Sequence, residues 1–108
     1  MSTPGGRGTT IVSDRAFMKI AEQVAGEDEH VADRPHVSGT VAGSVAAIHL
    51  DLAVRYPTSV AGLAHELRER IRSRMRELTG ITVENIDIEV VRLVPGQRRD
   101  DDHRRHPV

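Results

Sequence analysis

A length of 108 residues suits one domain, and 38% apolar content with a single Phe, a single Tyr and no Trp means that the core is aliphatic. A formal charge of -1 supplies no bulk pull toward nucleic acid or anionic lipid, and so few aromatics disfavour stacking on single-stranded bases. With no cysteine, disulfides and thiolate metal sites are excluded and a reducing compartment is permitted.

Residues 1–8 carry Gly, Ser, Thr and one Arg but no apolar run. They read as a disordered lead and not as a signal peptide. Thr9 to Val12 has the β-branched content of a short strand. Ser13 is placed to cap a helix, with Asp14 favoured in its first turn. Phe17, Ile20, Ala21 and Val24 then share one helical face, and Gly26 is a stop signal. The polar run from Glu27 leads to Pro35, which keeps the connection non-helical. Val37 to Val41 has strand character, with Gly39 and Gly43 marking a bend or turn.

Ala46 to Tyr56 is the clearest strand. Ile48, Leu50, Leu52, Val54 and Tyr56 alternate with His49, Asp51, Ala53 and Arg55, as on a sheet with one dry and one wetter face. Pro57 ends it, because proline donates no ladder hydrogen bond. Thr58 or Ser59 caps a second helix whose apolar positions are Val60, Leu63, Ala64, Leu67, Ile71, Met75 and Leu78. Gly80 suits a left-handed helix stop. The last strand spans Thr82 to Val94. Val91 and Leu93 fall on the phase opposite to Ile88 and Val90, so either both faces are covered there or a bulge shifts the register.

The order is β-α-β-β-α-β. It predicts an α+β fold, a two-layer α/β sandwich with two helices on one face of a three- to four-stranded sheet. The domain is expected over residues 9–95, followed at 96–108 by a disordered tail of mixed Arg, Asp and His. No apolar run reaches the roughly 20 residues that cross a bilayer, so no direct membrane insertion is expected and the cytoplasm is the expected location.

Candidate chemistry is sparse. Arg68, Arg72 and Arg76 form a stripe on the second helix, set among Arg70, Arg74, Glu66, Glu69 and Glu77. They are the candidate partner-binding residues, either for a protein or, as the alternative, for a phosphate backbone. Their plainer reading is a solvated face with local pairs such as Glu66–Arg70. His49 lies on the polar phase of its strand and His65 early on the helix, neither with a partner at metal-ligand spacing. His103 and His106 sit in the tail beside Asp100, Asp101 and Asp102. Asp51 and Glu89 are expected on one exposed face, paired across strands with Arg55 or Arg92. Ser38-Gly39-Thr40-Val41-Ala42-Gly43-Ser44 fits neither a dinucleotide fingerprint nor a phosphate loop. No catalytic residue, no Ser/His/Asp set, no resident metal and no cofactor is therefore assigned.

The run Ala47-Ile48-His49-Leu50-Asp51-Leu52-Ala53-Val54-Arg55-Tyr56, the helix from Leu67 to Leu78, and Thr79-Gly80-Ile81-Thr82-Val83-Glu84-Asn85-Ile86-Asp87-Ile88-Glu89-Val90 resemble the alkaline shock protein family of bacterial envelope stress response proteins. Ile11-Val12-Ser13-Asp14, Ile20-Ala21 and Val24-Ala25 resemble that family's opening strand and helix. The chain differs at Pro57, where members often carry Gly, and in its polar Glu27 to Pro35 connection, which replaces a Glu-Gly-Val step. The resemblance implies a small cytoplasmic protein without enzymatic activity. It would associate with itself or paralogues, or dock on a small membrane-anchored protein, and would support tolerance of cell-wall stress.

Overall fold

The computed structural model describes residues 13–96. Its elements are α1 (Asp14–Gly26), β1 (Val31–Ala42), β2 (Val45–Tyr56), α2 (Val60–Thr79) and β3 (Thr82–Pro95). The Thr9 to Val12 strand, the lead and all but the first residue of the tail fall outside the described residues. The sheet runs β1-β2-β3, with β1 antiparallel and β3 parallel to the central β2. Both helices lie on one face, as the α+β two-layer reading expected.

Local chemistry explains the boundaries. The Ser13 and Ser59 hydroxyls each accept a backbone N–H of the first turn, from Ala16 and Gly62, both at 3.1 Å. Of Thr58 and Ser59 it is thus Ser59 that caps α2. Gly80 closes that helix at φ 77°, its N–H bonded to Arg76 O. Thr79 supports the exit: its hydroxyl donates to Met75 O at 2.7 Å and accepts from Ile81 N–H at 3.1 Å. Gly43 at φ 64° is the first of the two residues joining Ala42 to Val45, the position that a type II′ hairpin turn reserves for glycine.

The core is aliphatic around Phe17. It joins Ala21, Val24 and Ala25 of α1 to Ile48, Leu50, Leu52 and Val54 of β2 and to Leu63, Leu67, Ile71 and Met75 of α2. Complete burial of such side chains is worth about 1.5–3 kcal/mol each. Leu63, Leu67, Ile71 and Met75 recur at steps of four, so the helix meets the sheet along one narrow line.

Several expectations need correction. Val60, Leu78 and Tyr56 are exposed, because each lies where one layer outruns the other. Gly39 is no bend: it sits inside β1, and a Cβ there would fall 2.8 Å from Ile48 Cα. β1 begins at Val31, six residues earlier than expected, and passes Pro35 through a bulge between Ala32 and His36. The stop at Gly26 needs no correction: α1 ends there, with Glu27 following at φ -72°. On β3 the bulge alternative holds. Val90 pairs with Leu52 and Arg92 with Ala53, leaving Val91 as the extra residue.

Candidate functional site

The arginines of α2 are sorted by helix geometry. Arg68, Arg72 and Arg76 each follow a buried residue by one position, and Arg70 and Arg74 each precede one, so the two sets flank the buried line on opposite sides. Arg68 Nε donates to Ile86 O at 3.2 Å. Arg72 Nε donates to Val83 O at 3.3 Å and Arg72 Nη2 to Glu84 O at 3.5 Å. All three acceptors belong to β3, an edge strand, whose carbonyls need partners from outside the sheet. On the other flank Arg70 meets Asp28 at 3.2 Å and Arg74 meets Glu27 at 3.0 Å. Asp28 is buried and also accepts the His30 N–H at 2.8 Å. The local Glu66–Arg70 pair expected from spacing is replaced by this long-range clamp on the α1–β1 connection.

Arg76 is the exposed member of the stripe. With Glu69, Arg72, Ser73, Glu77, Thr82 and Val83 it lines an open groove of about 540 Å³ between the last turns of α2 and the start of β3. Farther along the same strand the surface turns apolar. Val91 is 57% and Leu93 53% exposed. Tyr56, opposite Pro95, and Val60, where α2 begins, are exposed at that same end of the sheet. Of the five exposed large hydrophobics among the described residues, Leu78 alone lies at the other end. The β3 edge thus runs from an arginine-lined start to an uncovered apolar finish.

The sheet face away from the helices holds a grouping that single-residue reasoning missed. Register places Ser38, His49 and Asp87 in one cross-strand row and His36, Asp51 and Glu89 in the next. His49 Nδ1 lies 2.8 Å from Asp87 Oδ2, and its Nε2 lies 2.8 Å from Asp51 Oδ1 and 3.7 Å from Glu89 Oε1. The Asp87 hydrogen bond, then that of Asp51, holds the imidazole above its ordinary pKa. Asp51 and Glu89 do share this face, but their neighbour is His49. Arg55 instead donates to Glu29 O and Val31 O at 2.7 and 2.9 Å, and Arg92 pairs with Asp33. The row Ser38–His49–Asp87 has the residue types of a hydrolase triad, yet Asp51 occupies the ring nitrogen that a serine would need. The signal available in sequence was the His49-x-Asp51 and Asp87-x-Glu89 spacing, which sets each pair on one side of a strand.

A helix-on-sheet unit with an aliphatic core, an arginine-lined edge and an apolar end defines a small α+β module organised around its surfaces. Residues 7–95 match the alkaline shock protein family, described as having a cell envelope-related function, and the chain belongs to that family. It is the same family that the sequence pattern resembles. Comparison with curated proteins found no match. Among solved structures the chain is similar to the copper form of a MamM CTD variant, with a TM-score of 0.51, 15% identity, and coverage of 77% of this chain and 98% of that one. The MamB CTD, a magnetosome protein of Desulfamplus magnetovallimortis BW-1, matches at a TM-score of 0.51 and 15% identity, covering 75% and 94%. The metal-bound C-terminal domain of the CzcD transporter from Thermotoga maritima matches at 0.50 and 26%, covering 73% and 86%. The first two likenesses show the fold alone. No helix among the described residues is long and apolar enough to cross a membrane.

Proposed function

We propose that this member of the alkaline shock protein family is a non-enzymatic protein–protein interaction module of the cell-envelope response, cytoplasmic, and brought to the membrane by a small membrane-anchored protein. Self-association along β3 is its first mode of action. The observation that supports this reading is the β3 edge itself. A 14-residue edge strand is a template for another chain, and proteins that remain single blunt such edges along their length. Here arginines cover only the first half. The second half presents Val91 and Leu93 beside Tyr56 and Val60, and such exposed apolar groups mark contact surfaces.

Two of the three stripe residues, Arg68 and Arg72, already bond to β3 carbonyls. This weakens the nucleic-acid alternative, which needs those guanidinium groups free for phosphate. Arg76 remains the stripe member best placed to meet a partner. The test is molar mass by light scattering over a concentration series, with capture of membrane proteins on the immobilised chain. We expect concentration-dependent dimers or larger species that Leu93→Asp abolishes and Arg76→Glu weakens, both variants keeping their circular dichroism. A strict monomer that captures no membrane protein refutes the proposal.

A further inference from the structure

The open sheet face carries chemistry that association along β3 does not use. His49 and Asp51 project from the central strand, Glu89 from β3 and His36 from β1, all on the side away from the helices. We propose that His49, Asp51 and Glu89, completed by His36, form a binding site for a divalent transition-metal cation of the Zn²⁺ class.

Ligand-atom spacing is the first support. One atom each from His49, Asp51 and Glu89 lie within 4.8 Å of one another. The individual separations from His49 Nε2, 2.8 and 3.7 Å, bracket the roughly 3.3–3.6 Å between neighbouring ligands of a tetrahedral ion with metal–ligand bonds of about 2.0–2.2 Å. Opening the 2.8 Å pair by about half an ångström and turning the Glu89 carboxylate inward would seat the ion.

Ring orientation is the second and is independent of spacing. Asp87 engages Nδ1 and so turns Nε2 toward Asp51 and Glu89. A carboxylate on the far nitrogen is the arrangement that fixes the tautomer and raises the basicity of a ligating histidine. The third support is reach from β1. His36 is the direct cross-strand partner of Asp51, and such partners have Cβ atoms about 4.5–5.5 Å apart, so a change of rotamer brings a second imidazole toward the group of His49, Asp51 and Glu89. Imidazole with carboxylate favours Zn²⁺, Ni²⁺ or Cu²⁺ over Mg²⁺ or Ca²⁺, which prefer all-oxygen shells. The frame is firm, because Leu50 and Leu52, interleaved with the ligands on β2, are 0% and 1% exposed and anchored in the core.

The competing occupant of the same space is a proton on His49, held between its carboxylates. Titration of the full, untagged, chelator-stripped chain with ZnCl₂, by calorimetry and by imidazole NMR, separates the two. We expect one Zn²⁺ on this face, with His49 ring resonances shifting as it fills. His49→Ala and Asp51→Asn should each weaken that event by about 10-fold or more, and His36→Ala less. The His103→Ala/His106→Ala double variant, which removes the tail imidazoles, should retain it. The proposal is overturned if saturating Zn²⁺ leaves the wild-type His49 resonances in place. It is also overturned if the tail variant loses all binding, or if His49→Ala and Asp51→Asn both stay within about twofold of wild type. His36, His49 and Asp51 all lie off the core. Should one variant still fail to fold, the wild-type NMR titration decides.

Discussion

Two glycines illustrate how a single residue's requirement depends on what surrounds it. Gly80 at φ 77° has open space around a notional Cβ, so Gly80→Ala suffers the left-handed backbone penalty alone, about 1–2 kcal/mol. Gly39 at φ 149° combines an unfavourable backbone angle with a Cβ that would strike the β2 main chain. Gly39→Ala must therefore push two strands apart, and we expect a loss of about 3 kcal/mol or more, read from urea unfolding of both variants. The Gly80 requirement was legible, because a helix that ends on Thr-Gly announces its own stop. That of Gly39 was not, because the obstructing atoms lie eight and nine residues away across a register. His49 is a second such case. Its partners Asp87 and Asp51, on a face shared with Glu89 and His36, raise its folded pKa above the ordinary value of about 6.5. A raised histidine pKa favours the folded state fully below the unfolded value, and the benefit fades as pH rises through the folded one. NMR titration of the metal-free chain should place the His49 midpoint above 6.5, and Asp87→Asn and Asp51→Asn should each lower it. A midpoint at or below that value, or no lowering in either variant, contradicts this account.

At the scale of elements, α2 has two kinds of position with different consequences. Leu67 is fully buried at the centre of its contact line, so Leu67→Asp places a charge in the aliphatic core and should abolish cooperative thermal unfolding. Arg68 and Arg72 act on the neighbouring strand. Replacing both with Ala removes hydrogen bonds to β3 carbonyls worth about 1 kcal/mol each, a loss measurable as a lowered urea midpoint with the fold intact. If the double variant is as stable as wild type, those carbonyls have found water instead. Periodicity made α1, β2, α2 and β3 readable, together with the caps Ser13 and Ser59, because those features depend on spacing within one segment. It failed at element ends. Tyr56, Val60 and Leu78 keep the apolar phase but pass beyond the covering layer, and phase carries no information about where cover stops. Partner choice was equally hidden. That Arg70 reaches Asp28, and that His49 draws Asp51, Asp87 and Glu89 around it, follows from register and from the angle of the helix over the sheet. The arginine stripe was visible as a stripe, yet its division between β3 carbonyls and an exposed Arg76 needed the packed structure.

For the whole molecule, the distribution of charge and apolar surface decides how the proposed association along β3 would respond to salt. Fifteen basic and sixteen acidic residues leave no net field to steer an oppositely charged partner over long range. The arginines of α2 are interleaved with Glu69 and Glu77 and largely engaged within the fold. Contacts made by such charges are short-ranged and screened, with a Debye length of about 8 Å at physiological salt. Burial of Val91, Leu93, Tyr56 and Val60 is indifferent to screening, and excluded salts such as sulfate strengthen it. If the apolar finish of β3 drives association, the dissociation constant should hold or tighten as salt is raised, and Leu93→Asp should abolish dimers at every ionic strength. If the arginine-lined start drives it, affinity should fall with salt and Arg76→Glu should outweigh Leu93→Asp. Binding to nucleic acid would instead weaken steeply with salt, as counterions released from phosphates re-compete. One series of sedimentation runs at low and high salt, with and without a DNA or RNA duplex, separates these three behaviours. We expect salt-tolerant association and no micromolar nucleic-acid binding, because the side chains free to act at the far end of β3 are hydrocarbon.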